Sequence, residues 1–300
     1  MTSLLRRVSD SIFHVFERRD LSPFEHVPSQ SLPIYGVYHV FCDVGWERIV
    51  ERQLGELKRS GLLGASAKLY VSMIVKNNQD VEKLRRMVCD EKLEIIACGN
   101  DPTSYEYPAL KYVRELSERE DCLVYYFHTK GISYQTMNSG DRQFLSFKRK
   151  IVSWCEMMEY FCFDKWQVAV NVLSDGHDTY GCYRWPPKHY TMYSGSFWWA
   201  RSAYIRTLPA FAPAVIATDR FYSEVWLYQR QPRDFSAFDT VADLYFVNIP
   251  HSLYADGAPR QLDVLRFVWM YNWRKFLKHA FGYSYKKHCQ RKFQKMKKRM

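Results

Sequence analysis

The sequence predicts an α/β fold: a mostly parallel sheet flanked by helices, followed by a basic helical extension. Three observations predict it. Short runs of β-branched and aromatic residues alternate with longer segments whose apolar residues recur at helical spacing. The connections are long enough for crossovers and too short for separate domains. Each apolar run ends in polar residues, as strands do when a ligand sits beyond their carboxyl ends.

Residues 1–33 read as a short amphipathic segment and a Pro- and Ser-containing linker. Ile34 to Cys42 is the first strand, and Asp43 is placed to cap a helix carrying Trp46, Ile49, Val50, Leu54 and Leu57. Lys68 to Val75 is the second strand, closed by Lys76-Asn77-Asn78, and Asp80 starts a helix to Cys89. Leu93 to Cys98 is the third, closed by Gly99-Asn100-Asp101, and a helix follows from Tyr107 to Arg119. Leu123 to Phe127 is the fourth, ending in His128-Thr129-Lys130-Gly131. Asp141 caps a long helix, Arg142 to Tyr160, and a further helix spans Asp164 to Leu173. Tyr190 to Arg201 reads as a strand broken at Ser194-Gly195. Ala203 to Leu208 starts a helix, Asp219 to Leu227 is a loop entering one, Val241 to Asn248 is a last strand, and Val264 to Met300 is helical. The expected domains are residues 34–259, preceded by the segment 1–33 and followed by the basic aromatic tail 260–300.

Composition limits the function. The chain has 300 residues, 47% of them hydrophobic and 17% aromatic, enough for a large core. No apolar run reaches the roughly 18 residues of a membrane span. Residues 1–20 lack the apolar core and cleavage site of a signal peptide. The eight cysteines form no CxxC pair, and they read as core residues in a reducing, cytoplasmic setting. The net charge is +11, yet residues 260–300 hold thirteen Lys or Arg and one acid, a charge of +12, so the rest of the chain carries −1. A nucleic-acid binder would carry the excess on its body, so no nucleic acid is expected as partner, and a membrane- or nucleic-acid-binding α/β module acting through the basic tail stands as the alternative to an enzyme. The tail instead suits an anionic membrane surface, on the inner face of the plasma membrane.

The strand end His128-Thr129-Lys130-Gly131 puts two basic side chains, a hydroxyl and a glycine where an anionic ligand binds in such sheets. Asn77 and Asp101, at other strand ends, suit the same nucleotide-sized ligand. No GxGxxG follows the first strand, and no GxxxxGK[ST] occurs. Asp175 and Asp178, two acids in one turn, are a weak alternative metal pair; a glycine-containing turn is the plainer reading.

His128-Thr129-Lys130-Gly131, then Ser194-Gly195-Ser196-Phe197-Trp198-Trp199-Ala200-Arg201, then Arg220-x-x-x-Glu224-x-Trp226, resemble bacterial glycosyltransferases of polysaccharide and lipopolysaccharide biosynthesis. The pattern is more loosely similar to the rhamnan-synthesis glycosyltransferases. The resemblance spans residues 34–251 and implies a GT-A-like fold that moves a sugar from a nucleoside-diphosphate donor to a glycan or lipid-linked acceptor. Members of the group often carry Asn where this chain has Ser196. The resemblance places the donor on His128, Thr129, Lys130, Gly131, Arg220 and His251, joined by Asn77 and Asp101 as polar strand ends, and the sugar or acceptor on Ser194, Gly195, Trp198 and Trp199. One of the adjacent tryptophans is expected in the core and the other at the sugar. Glu224 is the candidate general base of an inverting transfer, with Asp219 as the alternative. Ordinary GT-A enzymes hold a divalent metal with an Asp-x-Asp at the fourth strand end. Here His128-Thr129-Lys130 stands there, which disfavours a divalent metal cofactor, and Lys130, with His128, is expected to neutralise the leaving diphosphate in its place.

Overall fold

The computed structural model describes residues 14–29, 32–87, 91–135, 139–212, 215 and 218–298. The strands are β1 (Phe16–Arg18), β2 (Ile34–Phe41), β3 (Lys68–Ile74), β4 (Leu93–Gly99), β5 (Leu123–His128), β6 (Thr179–Gly181), β7 (Arg184–Trp185), β8 (Met192–Tyr193), β9 (Trp198–Arg201), β10 (Asp234–Ser236) and β11 (Phe238–Thr240). The main helices are α1 (Trp46–Arg59), α2 (Asn78–Met87), α3 (Tyr107–Arg119), α4 (Arg142–Glu159), α5 (Trp166–Ser174), α6 (Gln261–Phe281) and α7 (Tyr285–Lys297). The chain forms two compact units. One takes residues 19–136 and 158–237; the other takes residues 1–18, 137–157 and 238–300. The boundaries therefore differ from those expected at 33 and 259, and residues 137–157 leave the sheet-bearing unit partway along the chain.

The larger unit is α/β. Its seven-stranded sheet has the order β10-β6-β9-β5-β2-β3-β4. β2 pairs in parallel with both β3 and β5, β3 with β4, and β6 with β10; β9 is antiparallel to β5 and β6. The central strands are buried on both faces, so they read as continuous apolar runs. Val37, Val124 and Tyr126 pack on the α3 face with Ala109, Val113 and Leu116. On the opposite face Tyr38 donates to Gln53 of α1 at 2.6 Å, and Phe127 meets Phe163 edge-on at 4.9 Å. Successive strand residues thus serve opposite layers. An ion pair with a buried carboxylate and a partly exposed arginine supports the α1 layer. Arg52 binds the Glu159 carboxylate with both guanidinium nitrogens, and Gln53 donates to the same carboxylate at 3.0 Å.

Connectivity reverses between β2 and β5. From β2 the chain steps to β3 and β4 on one side, then returns to β5 on the other. Such a switch point opens a crevice at the carboxyl ends of the two strands. Thr129 closes its floor: its amide donates to the His39 carbonyl at 3.1 Å, and its hydroxyl accepts from the Phe41 amide at 3.0 Å.

Several sequence expectations are corrected. Asp43 does not cap α1; Gly45, with φ +76°, occupies that position, and the Asp43 carboxylate accepts from Val44 and Lys76. Asp80 lies inside α2, where it accepts from the Lys76 and Asn77 amides. Tyr190 to Arg201 is two strands rather than one, because Gly195 (φ +99°) and Ser196 (φ +56°) reverse the chain between β8 and β9. Val241 to Asn248 forms turns, and the late strands β10 and β11 precede it.

In the smaller unit β1 pairs antiparallel with β11. The expected amphipathic segment at 1–20 lies outside the described residues up to 13 and is a strand at Phe16–Arg18. Phe16 stacks on Phe238 at 5.7 Å and meets Phe267 of α6 edge-on. The helical tail is broken at Gly282 (φ +63°), which ends α6 in a left-handed cap before α7. Among the described residues no helix is long and apolar enough to cross a membrane.

Candidate functional site

The switch-point crevice gathers titratable groups. His128 ends β5 with its ring on the α3 face, parallel to Tyr126 at 6.4 Å. Its Nε2 donates to the Gly195 carbonyl at 2.9 Å, and its Nδ1 faces Glu106 Oε1 at 3.1 Å. Glu106 immediately precedes α3, beside Tyr105 with φ +45°. Two non-glycine residues with positive φ, Tyr105 and Ser196, therefore adjoin the partners of one histidine. Left-handed backbone at ordinary residues is uncommon and concentrates at functional sites.

His39 of β2 lies one strand across, paired in register with His128. Burial pushes it down to about 4, with Glu106 opposing and His128 reinforcing the shift. Burial likewise lowers His128, and the Lys130 cation adds to it. Glu224, in the one-turn helix Tyr222–Val225, has its proton affinity raised, first by burial; Lys130 and Arg220 pull it down and Glu106 pushes it up. Lys130, Glu106 and Glu224 thus share one electrostatic environment. Within it His39 Nδ1, Glu106 Oε2 and the Tyr126 hydroxyl are buried without a hydrogen-bond partner. Folded proteins leave few such atoms, and a group of them marks a place where polar chemistry is kept available.

The remaining candidates fall into three groups. Thr129 is buried and serves the backbone of β2, and Gly131 (φ +79°) makes the turn that releases the chain. Gly195 receives His128, and the Ser194 amide donates to Tyr183. Arg220 is exposed, its guanidinium 5.5 Å from the Tyr105 ring and 5.6 Å from that of Phe221. The exposed Asp219 carboxylate accepts from the Phe221 and Tyr222 amides, and its carbonyl accepts from Tyr107. Asn77 and Asp101 are exposed and make local turns, with Gln79 and Thr103 respectively. His251 belongs to the smaller unit, where its exposed ring lies 5.0 Å from that of Tyr254.

Trp198 and Trp199 do point to opposite faces, but both are core. Trp198 packs on Tyr126 at 5.1 Å, and Trp199 packs on Tyr125 and donates to the Cys162 carbonyl at 2.9 Å. The expectation that one of them lines a sugar site is not what the structure shows. Asp175 and Asp178 both engage Arg233, through ion pairing at 3.8 Å and its amide at 2.8 Å. Among the described residues no group of three His, Cys, Asp or Glu is arranged to hold a metal.

Sequence reasoning missed Glu106 and His39. His39 carried a signal, a titratable residue inside an otherwise apolar strand. Glu106 carried only its place before Tyr107-Pro108 at a helix start. The chain matches no protein-family model and no curated protein.

Proposed function

We propose that this chain is a GT-A-like glycosyltransferase. It moves a sugar from a nucleoside-diphosphate donor, UDP-sugars first among them, to a glycan or lipid-linked acceptor of surface polysaccharide assembly, with inversion. The observation that carries the reading is the gathering at the switch-point strand end of the His128–Glu106 contact, Lys130, and the half-buried carboxylate of Glu224, whose proton affinity burial raises and Lys130 lowers.

The chemistry follows from these groups. Glu224 takes the proton of the acceptor hydroxyl as its oxygen attacks the anomeric carbon. The bond from that carbon to the diphosphate oxygen breaks, and the departing electron pair is stabilised by Lys130, with Arg220 at the exposed rim. His128 orients rather than reacts: it fixes the Gly195 turn against β5. A fixed ammonium at the strand end does the work an Asp-x-Asp-bound cation does in ordinary GT-A enzymes, which predicts activity in EDTA. Cytoplasmic location with peripheral membrane attachment fits a lipid-linked acceptor.

A thermal-shift screen with UDP, GDP and TDP tests the reading. A rise in melting temperature with one of them at millimolar concentration is expected. No shift with any, together with no donor hydrolysis or transfer across a panel of nucleotide sugars, overturns it.

A further inference from the structure

Helix α6 carries an aromatic face that nothing in its unit covers. Its inner side is anchored by Phe267 and Val268, both buried. Its outer side presents Leu262, Leu265, Trp269, Trp273 and Phe276, spaced by three or four residues and therefore aligned in one stripe. Trp269 is 60% exposed and Phe276 51%. The rings are ordered against one another: Trp269 stacks on Trp273 at 5.9 Å, and Trp273 on Phe276 at 5.6 Å. A contiguous exposed patch of this kind marks an interaction surface.

We propose that this stripe seats on an anionic lipid surface, with α6 lying in the plane of the interface. Charge selects the occupant. The stripe sits within the segment 260–300 of net charge +12, a charge that includes the exposed Lys286, Lys287, Arg291 and Lys295 of α7. An anionic bilayer complements that charge, and tryptophan and phenylalanine favour the headgroup level. A second copy of the chain would instead set two such segments against each other. Neither α6 nor α7 is long and apolar enough to span the bilayer, so the stripe lies on the surface. The sequence offered the whole tail 260–300 for membrane contact, with Leu262 to Phe281 equally able to pack on the body; the exposed rings of α6 favour the first for this face. The inference does not depend on the enzyme reading and is tested without activity.

The full chain is mixed with vesicles of phosphatidylcholine alone, or of phosphatidylcholine with phosphatidylglycerol, and floated on a density gradient. It should float with the anionic vesicles and not with the neutral ones. The variant Trp269→Glu/Trp273→Glu should lower partition at least about tenfold, with unchanged far-UV circular dichroism. Trp269→Ser/Trp273→Ser serves if the charged pair does not fold. Lys287→Glu/Lys295→Glu should lower partition to anionic vesicles as well. Flotation that ignores lipid charge, or that survives both tryptophan pairs, overturns the proposal. So does a dimer in light scattering that the tryptophan pair splits without changing flotation.

Discussion

His128 Nδ1 stands 3.1 Å from Glu106 Oε1 while Nε2 stands 2.9 Å from the Gly195 carbonyl. A carbonyl only accepts, so Nε2 carries a proton. Burial and Lys130 both oppose a full positive charge on the ring. The end of β5 is thereby tied to the start of α3 and to the turn before β9. Glu106→Gln places an amide N–H donor against Nδ1 and should leave stability nearly unchanged. Glu106→Leu strands a buried ring nitrogen and should cost about 1–3 kcal/mol in denaturant unfolding. Equal losses in the two variants would show that the contact does not orient the ring.

Glu224→Gln separates a reacting carboxylate from a structural one. Its proton affinity is raised in the folded state, chiefly by burial, so its ionised form opposes folding at neutral pH. The sign is that of a raised carboxylate: the folded state binds more protons than the unfolded one, and stability is lost as pH rises. Gln removes that cost. Turnover should fall by roughly 100-fold or more, while the melting temperature at pH 7 stays level or rises. A variant that keeps near-wild-type turnover removes Glu224 from the mechanism.

Lys130 lowers the proton affinity of Glu224, so its removal has a direction that can be read. Lys130→Met should move the acidic limb of the pH–rate profile to higher pH, because Glu224 then holds its proton longer. It should also weaken nucleotide binding in the thermal-shift assay. An acidic limb that does not move, with binding unchanged, would place Lys130 outside the site.

The sheet was legible where burial is two-sided. Ile34–Phe41, Lys68–Ile74 and Leu123–His128 are predominantly apolar runs because both faces are covered, and their ends were placed within a residue. Val241 to Asn248 also alternates, with Ala242, Leu244 and Phe246 buried, yet it makes turns. Alternation reports which side chains go inward and not whether a partner strand is present. The reversal at Gly195-Ser196 rests on backbone torsions that a Ser-Gly-Ser string only hints at. In the site, Lys130 and Glu224 were legible because each sits in a motif. Glu106 and His39 join them only through tertiary geometry, one from a helix start and one from the neighbouring strand.

His39 makes the fold sensitive to acid. Burial holds it at about 4 in the folded protein, against an ordinary 6.5. Between those values the unfolded chain binds the extra proton, so stability falls as pH drops from about 6.5 towards 4. At 1.36 kcal/mol per unit the full loss from this group is about 3 kcal/mol. Urea unfolding of wild type and His39→Gln at pH 7 and pH 4.5 isolates it. The variant should lose less stability on acidification than the wild type does, and parallel losses would mean that other groups govern the acid limit.

Gly36 is where β2 passes under a tyrosine. A Cβ built there would lie under 3 Å from the Tyr125 ring and hydroxyl and from the Leu69 side chain. Tyr125 cannot yield easily: it is fully buried, packs on Trp199 at 4.9 Å, and shares a hydrogen bond with Ser66 at 3.1 Å. Both neighbours sit on strands paired with β2, so relief requires shifting the central sheet. Gly36→Ala should therefore destabilise by about 1–3 kcal/mol, despite the gain in strand propensity, because overpacking a close-packed core displaces side chains from their rotamers. Adding Leu69→Ala to Gly36→Ala frees part of the space, so the pair should lose less than the two single losses added together. Strict additivity in urea unfolding would show that the added methyl does not press on Leu69.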